Sequence, residues 1–136
     1  MDFRDYLRDH RDPKVLPLIF NKVIDGLDQL HNIGYVHRDL KPENIVLNLD
    51  PLEVRLIDFN SVFPTSQKTR DQRRGTPGYY PETMTWYDGD KAWDYYALGV
   101  MILEADMPKD FLIKIQTEND LMRAVLDHMT SNQIRY

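Results

Sequence analysis

The chain contains no cysteine. This removes disulfides, thiol nucleophiles and thiolate-bound metals from consideration, and it suits a reducing intracellular compartment, cytoplasmic or nuclear, better than secretion. Basic runs are lacking too. With 17 Lys and Arg against 22 Asp and Glu, the formal charge is −5, and no cluster is long enough to follow a phosphate backbone, so nucleic acid is not an expected ligand. No apolar stretch approaches the roughly 20 residues that a membrane span needs, and the N-terminus is charged from Asp2 onward. Neither a membrane partner nor a secretory leader is expected. Internal repeats, low-complexity tracts and linkers are also missing from the 136 residues, a length that folds as one domain with its own core.

What remains is a patterned sequence. Apolar residues at Leu16, Ile19, Phe20, Val23, Ile24, Leu27, Leu30 and Ile33 keep the three-and-four spacing of a helix with one buried face, and Gly34 supplies its stop. Ile45 to Leu47 and Val54 to Ile57, separated by a turn over Asn48 to Pro51, predict two short strands joined as a hairpin. Between Pro64 and Pro81 the period disappears and a long loop is expected, of the kind that is usually functional or disordered. Trp93 to Ala105 is apolar almost all round and predicts a helix buried on every side, with Trp93, Tyr95 and Tyr96, like Trp86, in the core. A last amphipathic helix is announced by Thr117 and Asp120 and carries Leu121, Met122, Val125, Leu126 and Met129. His10, His31 and His128 read as ordinary surface or interface histidines. The cluster Arg70, Arg73 and Arg74 reads as a solvated loop face.

The most specific stretch is His37-Arg38-Asp39-Leu40-Lys41-Pro42-Glu43-Asn44, set between the first long helix and a strand. It resembles the catalytic loop of the eukaryotic protein kinases, in the Ser/Thr form because of Lys41. Three further motifs follow in that family's order. Asp58-Phe59-Asn60 stands where the family has Asp-Phe-Gly, with asparagine as a residue that tolerates positive φ. Gly75-Thr76-Pro77-Gly78-Tyr79-Tyr80-Pro81-Glu82 is similar to the end of an activation segment. Asp94-Tyr95-Tyr96-Ala97-Leu98-Gly99-Val100 is similar to the start of the central buried helix.

The resemblance implies a mainly α fold with short β-hairpins: a kinase-like C-lobe over residues 1–136, with catalytic loop 37–44, activation segment 58–82 and central helix about 91–105. It also implies roles. Asp39 would be the base that orients and deprotonates a hydroxyl, Lys41 would neutralise the transferring phosphate, and Asn44 and Asp58 would hold magnesium beside ATP. Val46 would carry the adenine. Arg38 would meet a phosphorylated or acidic activation segment, with Ser66 and Thr69 as phosphosites and Asp71 as an acidic stand-in. Thr76 would bridge Asp39 and Lys41, Glu82 would seek an arginine such as Arg123 or Arg135, His37 would pack behind the loop, and Asp94 would cap its amides.

Three parts of the family pattern do not occur among the 136 residues: a glycine-rich loop over the phosphates, the lysine of the third strand and the glutamate that pairs with it. All belong to the N-lobe. A chain beginning at Met1 would leave adenine and phosphates with one wall each, so it is expected to bind magnesium-ATP weakly and to be inactive, or nearly so, by itself. Three functions stay open: a Ser/Thr kinase completed by a separate N-lobe, a pseudokinase that binds or scaffolds a partner, and a structural subunit of a larger assembly. A roof around Leu7, Val46 and Leu47 and one flank of the central helix are expected to lie open, and so to be covered by another protein or a second copy.

Overall fold

A computed structural model describes residues 1–65, 68–69, 75–80, 87–88 and 91–106. The first element, α1 (Phe3–Asp9), begins where Asp2 accepts the Asp5 backbone N–H through its side chain, satisfying one of the orphan donors of a helix start. Next comes α2 (Leu16–Asn32), with Pro17 in its first turn, where a missing N–H costs nothing. Gly34 at φ +94° follows its end, and its N–H donates to the His31 carbonyl. Both limits lie within one residue of those expected from the apolar spacing.

The strands are short. β1 (Tyr35–Val36) pairs with β4 (Phe63–Pro64), β2 (Ile45–Leu49) with β3 (Leu52–Leu56), and β5 (Lys68–Thr69) with β6 (Tyr87–Asp88), each pair antiparallel. Among the described residues only β2 and β3 form a hairpin, with Ile45 opposite Leu56 and Leu49 opposite Leu52. The other two sheets join distant segments, which corrects the expectation of several hairpins and of a plain loop from Pro64 to Pro81. Strands of two residues have no alternation for a sequence to display. The last described element is α3 (Ala92–Asp106).

One core unites these pieces: Phe3, Tyr6 and Leu7 of α1, Ile19, Phe20, Val23 and Leu27 of α2, Ile45 and Leu47 of β2, and Leu98, Met101 and Ile102 of α3. Each such side chain taken from water contributes on the order of 1.5–3 kcal/mol. Leu7 and Leu47 are therefore covered, contrary to the expected open roof, and Val46 is half-buried. The cover comes from the chain's own first residues: Leu47 N–H donates to the Met1 carbonyl at 2.7 Å and Asp2 bridges Val46.

Trp93 is in the core and Tyr96 half-buried, but Tyr95 is 47% exposed, so α3 is not buried all round. Tyr95 instead lies edge-on to His31. His10 is exposed and stacks on Tyr6, whereas His31 is buried, a correction whose cause is its partner on α3. Trp86, His128, the cluster Arg70, Arg73 and Arg74, and the helix expected near Asp120 to Met129 lie outside the described residues.

Candidate active site

The site is assembled from the end of α2 and β1, the turn Pro42–Asn44, the hairpin and the first turn of α3. Asp94, fully buried, accepts the N–H of His37 at 2.9 Å on Oδ2 and the N–H of Arg38 at 3.0 Å on Oδ1. His31 Nε2 reaches Oδ2 at 2.7 Å. A buried carboxylate costs several kcal/mol unless its lone pairs are satisfied, and these three partners satisfy it. They also hold Arg38 at φ +69°, a conformation that costs an L-residue roughly 1–2 kcal/mol. The sharp turn presents Asp39.

His37 is buried behind this turn. Its Nδ1 accepts the Asp39 N–H at 3.2 Å and its Nε2 lies 2.9 Å from the Ile57 carbonyl. A carbonyl only accepts, so the neutral tautomer with its proton on Nε2 satisfies both contacts. Arg38 donates from Nε to the Ser61 carbonyl at 2.7 Å and lies 4.5 Å over the Phe63 ring.

Around Asp39 the side chains converge. Thr76 donates its hydroxyl to Asp39 Oδ1 at 2.7 Å and accepts from Lys41 Nζ at 2.8 Å. Asn44 Nδ2 donates to the Asp39 carbonyl at 2.8 Å and lies 3.4 Å from Asp39 Oδ2. Oδ1 is thereby held by the threonine, and Oδ2, with only a long contact, keeps capacity for a further proton donor. Because the amide nitrogen faces two acceptors, the Asn44 oxygen is the end left for a cation. Across the hairpin's open end, Ile57 N–H donates to the Asn44 carbonyl at 2.9 Å, which brings Asp58 beside the catalytic turn. Asp58 is exposed, at φ +59°, and its only described contact is a long one from Asn60 N–H at 3.4 Å. Asn60 itself stays at negative φ. The glycine-to-asparagine change therefore meets no left-handed requirement here, and the residue with positive φ is the aspartate.

Among the described residues, no group of three or more His, Cys, Asp or Glu is placed to hold a metal. Asn44 and Asp58 each offer an oxygen donor, the ligand type that magnesium takes while keeping several waters. Val46 lies in mid-strand on β2, paired with Arg55. Ser66, Asp71, Glu82, Arg123 and Arg135 fall outside the described residues, and of Thr69 only the backbone is described, in β5.

One cluster was not legible beforehand. Arg4 of α1 donates to Glu104 of α3, to the Tyr79 hydroxyl at 2.7 Å and, at 3.4 Å, to Glu43. Tyr79 in turn donates to Glu104. Burial, reinforced by the charge of Glu104, pushes the Tyr79 phenol well above its ordinary range. Burial works against the charge of Arg4 but is outweighed by its hydrogen bond to Glu104 and the neighbouring charges, so it stays ionised. The sequence signal was a glutamate set among the apolar residues Val100 to Ala105.

Similarity to known proteins agrees with this arrangement. Translation initiation factor 2-alpha kinase 1 of Rattus norvegicus is 32% identical over 105 residues, 66% of this chain and 17% of the relative. Serine/threonine-protein kinase kin-29 of Caenorhabditis briggsae is 39% identical over 111 residues, 79% of this chain and 13% of the relative. The chain thus spans under a fifth of the length of these relatives. Among solved structures, the PK-1 kinase of Cydia pomonella granulovirus superposes with a TM-score of 0.66 at 19% identity, over 87% of this chain and 48% of that one, a likeness of fold. The family model for the protein kinase domain matches residues 2–135, and the chain belongs to that family, in its eukaryotic type.

Proposed function

We propose that the chain is the C-lobe of a Ser/Thr protein kinase and that its chemistry is transfer of the ATP γ-phosphoryl group to a protein hydroxyl. The observation that supports this best is the run Lys41–Thr76–Asp39–Asn44, in which one carboxylate oxygen is pinned by a threonine that Lys41 holds in turn, and the other keeps only a long contact from the Asn44 amide nitrogen. Asp39 would orient the substrate hydroxyl and take its proton, a step worth roughly 10²–10⁴-fold. Lys41 would sit against the transferred phosphate. Asn44 and Asp58 would hold magnesium, which when bound neutralises phosphate charge, and Val46 would support the adenine.

The glycine-rich loop and the N-lobe lysine are not among these residues, so turnover requires an N-lobe supplied in cis or in trans. A second reading, a pseudokinase or structural subunit that binds a protein or a second copy, draws on the exposure of Phe59 (54%) and Ile57 (38%) beside the site. Turnover with an N-lobe restored separates the two. The chain alone should bind magnesium-ATP with Kd on the order of 0.1–1 mM, because half the enclosing surface is missing. With an N-lobe restored, Asp39→Asn should lower turnover by roughly 10²–10⁴-fold while sparing nucleotide binding, and Asp58→Ala should remove magnesium-dependent binding. Full turnover by Asp39→Asn would refute the assignment of the base.

A further inference from the structure

We propose that Arg4 is a positioning residue: by gripping Tyr79 and Glu104 together, it anchors the segment that presents Thr76 to Asp39. Glu104 is 8% exposed on a helix whose neighbouring residues are apolar. A carboxylate there needs a cation, and among the described contacts Arg4 is the one that supplies it, from 100 residues away. The planar fork matters. One guanidinium nitrogen meets Glu104 while the other meets the Tyr79 oxygen, and Tyr79 donates onward to Glu104, closing a triangle. An ammonium, as a point charge, cannot span both partners in this way.

Tyr79 matters because of what it is tied to. Its N–H donates to the Thr76 carbonyl at 3.0 Å across the turn Pro77-Gly78, and those two residues are exposed. The Thr76 hydroxyl then meets Asp39 at 2.7 Å. From the buried glutamate to the open carboxylate there is thus a continuous chain of side chain, phenol, turn and hydroxyl. Burial that keeps Tyr79 a phenol preserves its donor to Glu104. The other α1 arginine near this face is no substitute, since Arg8 is exposed and engaged by Asp5 and Asp9. The anchoring stands on these contacts; its meaning for phosphotransfer rests on the function proposed above.

Amide hydrogen exchange of the full chain, followed by NMR, tests it, with the Tyr79 amide as reporter and the His37 and Arg38 amides on Asp94 as internal controls. Arg4→Met should lower Tyr79 protection about 10- to 100-fold and leave the controls within about threefold, since an ion pair this exposed on one side falls between surface and buried cases. Arg4→Lys should fall between wild type and Arg4→Met. Arg4→Met/Glu104→Gln, which removes the unpaired charge but still lacks the guanidinium, should recover only a small part of the loss. Unchanged Tyr79 protection in Arg4→Met would overturn the proposal, as would a double variant restored to wild-type protection. The same holds if the controls fall equally in both variants. With an N-lobe restored, Arg4→Met should lower kcat and spare KM for ATP. If exchange responds while kcat does not, the anchor stands and the kinase role given to Thr76 fails.

Discussion

Replacing Gly75 by alanine should damage the site more than the same change three residues later. Gly75 lies at φ +92°, and a Cβ there would sit 2.7 Å from the Arg38 carbonyl oxygen and 3.3 Å from Tyr80 Cδ1. Gly78 lies at φ +95° with nothing within 4 Å of its Cβ position. Both substitutions incur the left-handed backbone cost of roughly 1–2 kcal/mol. Only Gly75→Ala adds a collision with backbone. Arg38 has little room to yield, because its N–H is held by Asp94 and its Nε by the Ser61 carbonyl, so a further 1–2 kcal/mol or so is expected, as for overpacking. The totals are about 1–2 kcal/mol for Gly78→Ala and about 2–4 kcal/mol for Gly75→Ala. In urea titrations followed by far-ultraviolet circular dichroism, with a slope of about 2 kcal/mol/M, the midpoints should separate by about 0.5–1 M. Coincident midpoints would show that the Arg38 carbonyl moves freely, and would refute the view that Asp94 fixes the catalytic turn.

Asp94→Asn exchanges an acceptor of three donors for an amide whose NH₂ must face one of them, and should cost about 3 kcal/mol, read as a lowered urea midpoint with faster exchange of the His37 and Arg38 amides. Alkaline pH should destabilise the fold: burial raises the Tyr79 phenol, with Glu104 adding to it, and burial also raises Tyr6. Above the ordinary tyrosine value of about 10 the unfolded chain loses protons that the folded chain keeps, so stability, fully present below that value, falls as pH rises. Urea midpoints measured between about pH 9 and 11 should decline, and Tyr79→Phe should flatten part of the decline.

What could be read from the sequence was what lies close together along it. The limits of α2 follow from Leu16 to Ile33 and Gly34, and the hairpin from two apolar runs around a turn. Asp39, Lys41 and Asn44 stand within a single stretch of eight residues, so their neighbourhood is legible in the sequence itself. Contacts made at a distance were not. His31 read as an ordinary surface or interface histidine; the acceptor that draws it inward, Asp94, is 63 residues away. The pairing of Tyr35 and Val36 with Phe63 and Pro64 has no period to reveal it. Arg4 among the charges of the N-terminus carried no sign that it would meet Glu104, and the expected open roof failed because Met1 and Asp2 add their backbone to β2.

The carboxylate of Asp94 also sets an order of events during synthesis. The His37 and Arg38 amides that it accepts lie 57 and 56 residues earlier in the chain, so they leave the ribosome long before their acceptor is made. At roughly 5–20 residues per second the interval is several seconds, ample time for α2 and the hairpin to form. During that interval the nascent catalytic turn has no buried acceptor to hold Arg38 in its left-handed conformation. The geometry of this turn is therefore among the last features to become fixed, and the partly made chain exposes the apolar face of α2 before the turn around Asp39 is held in place.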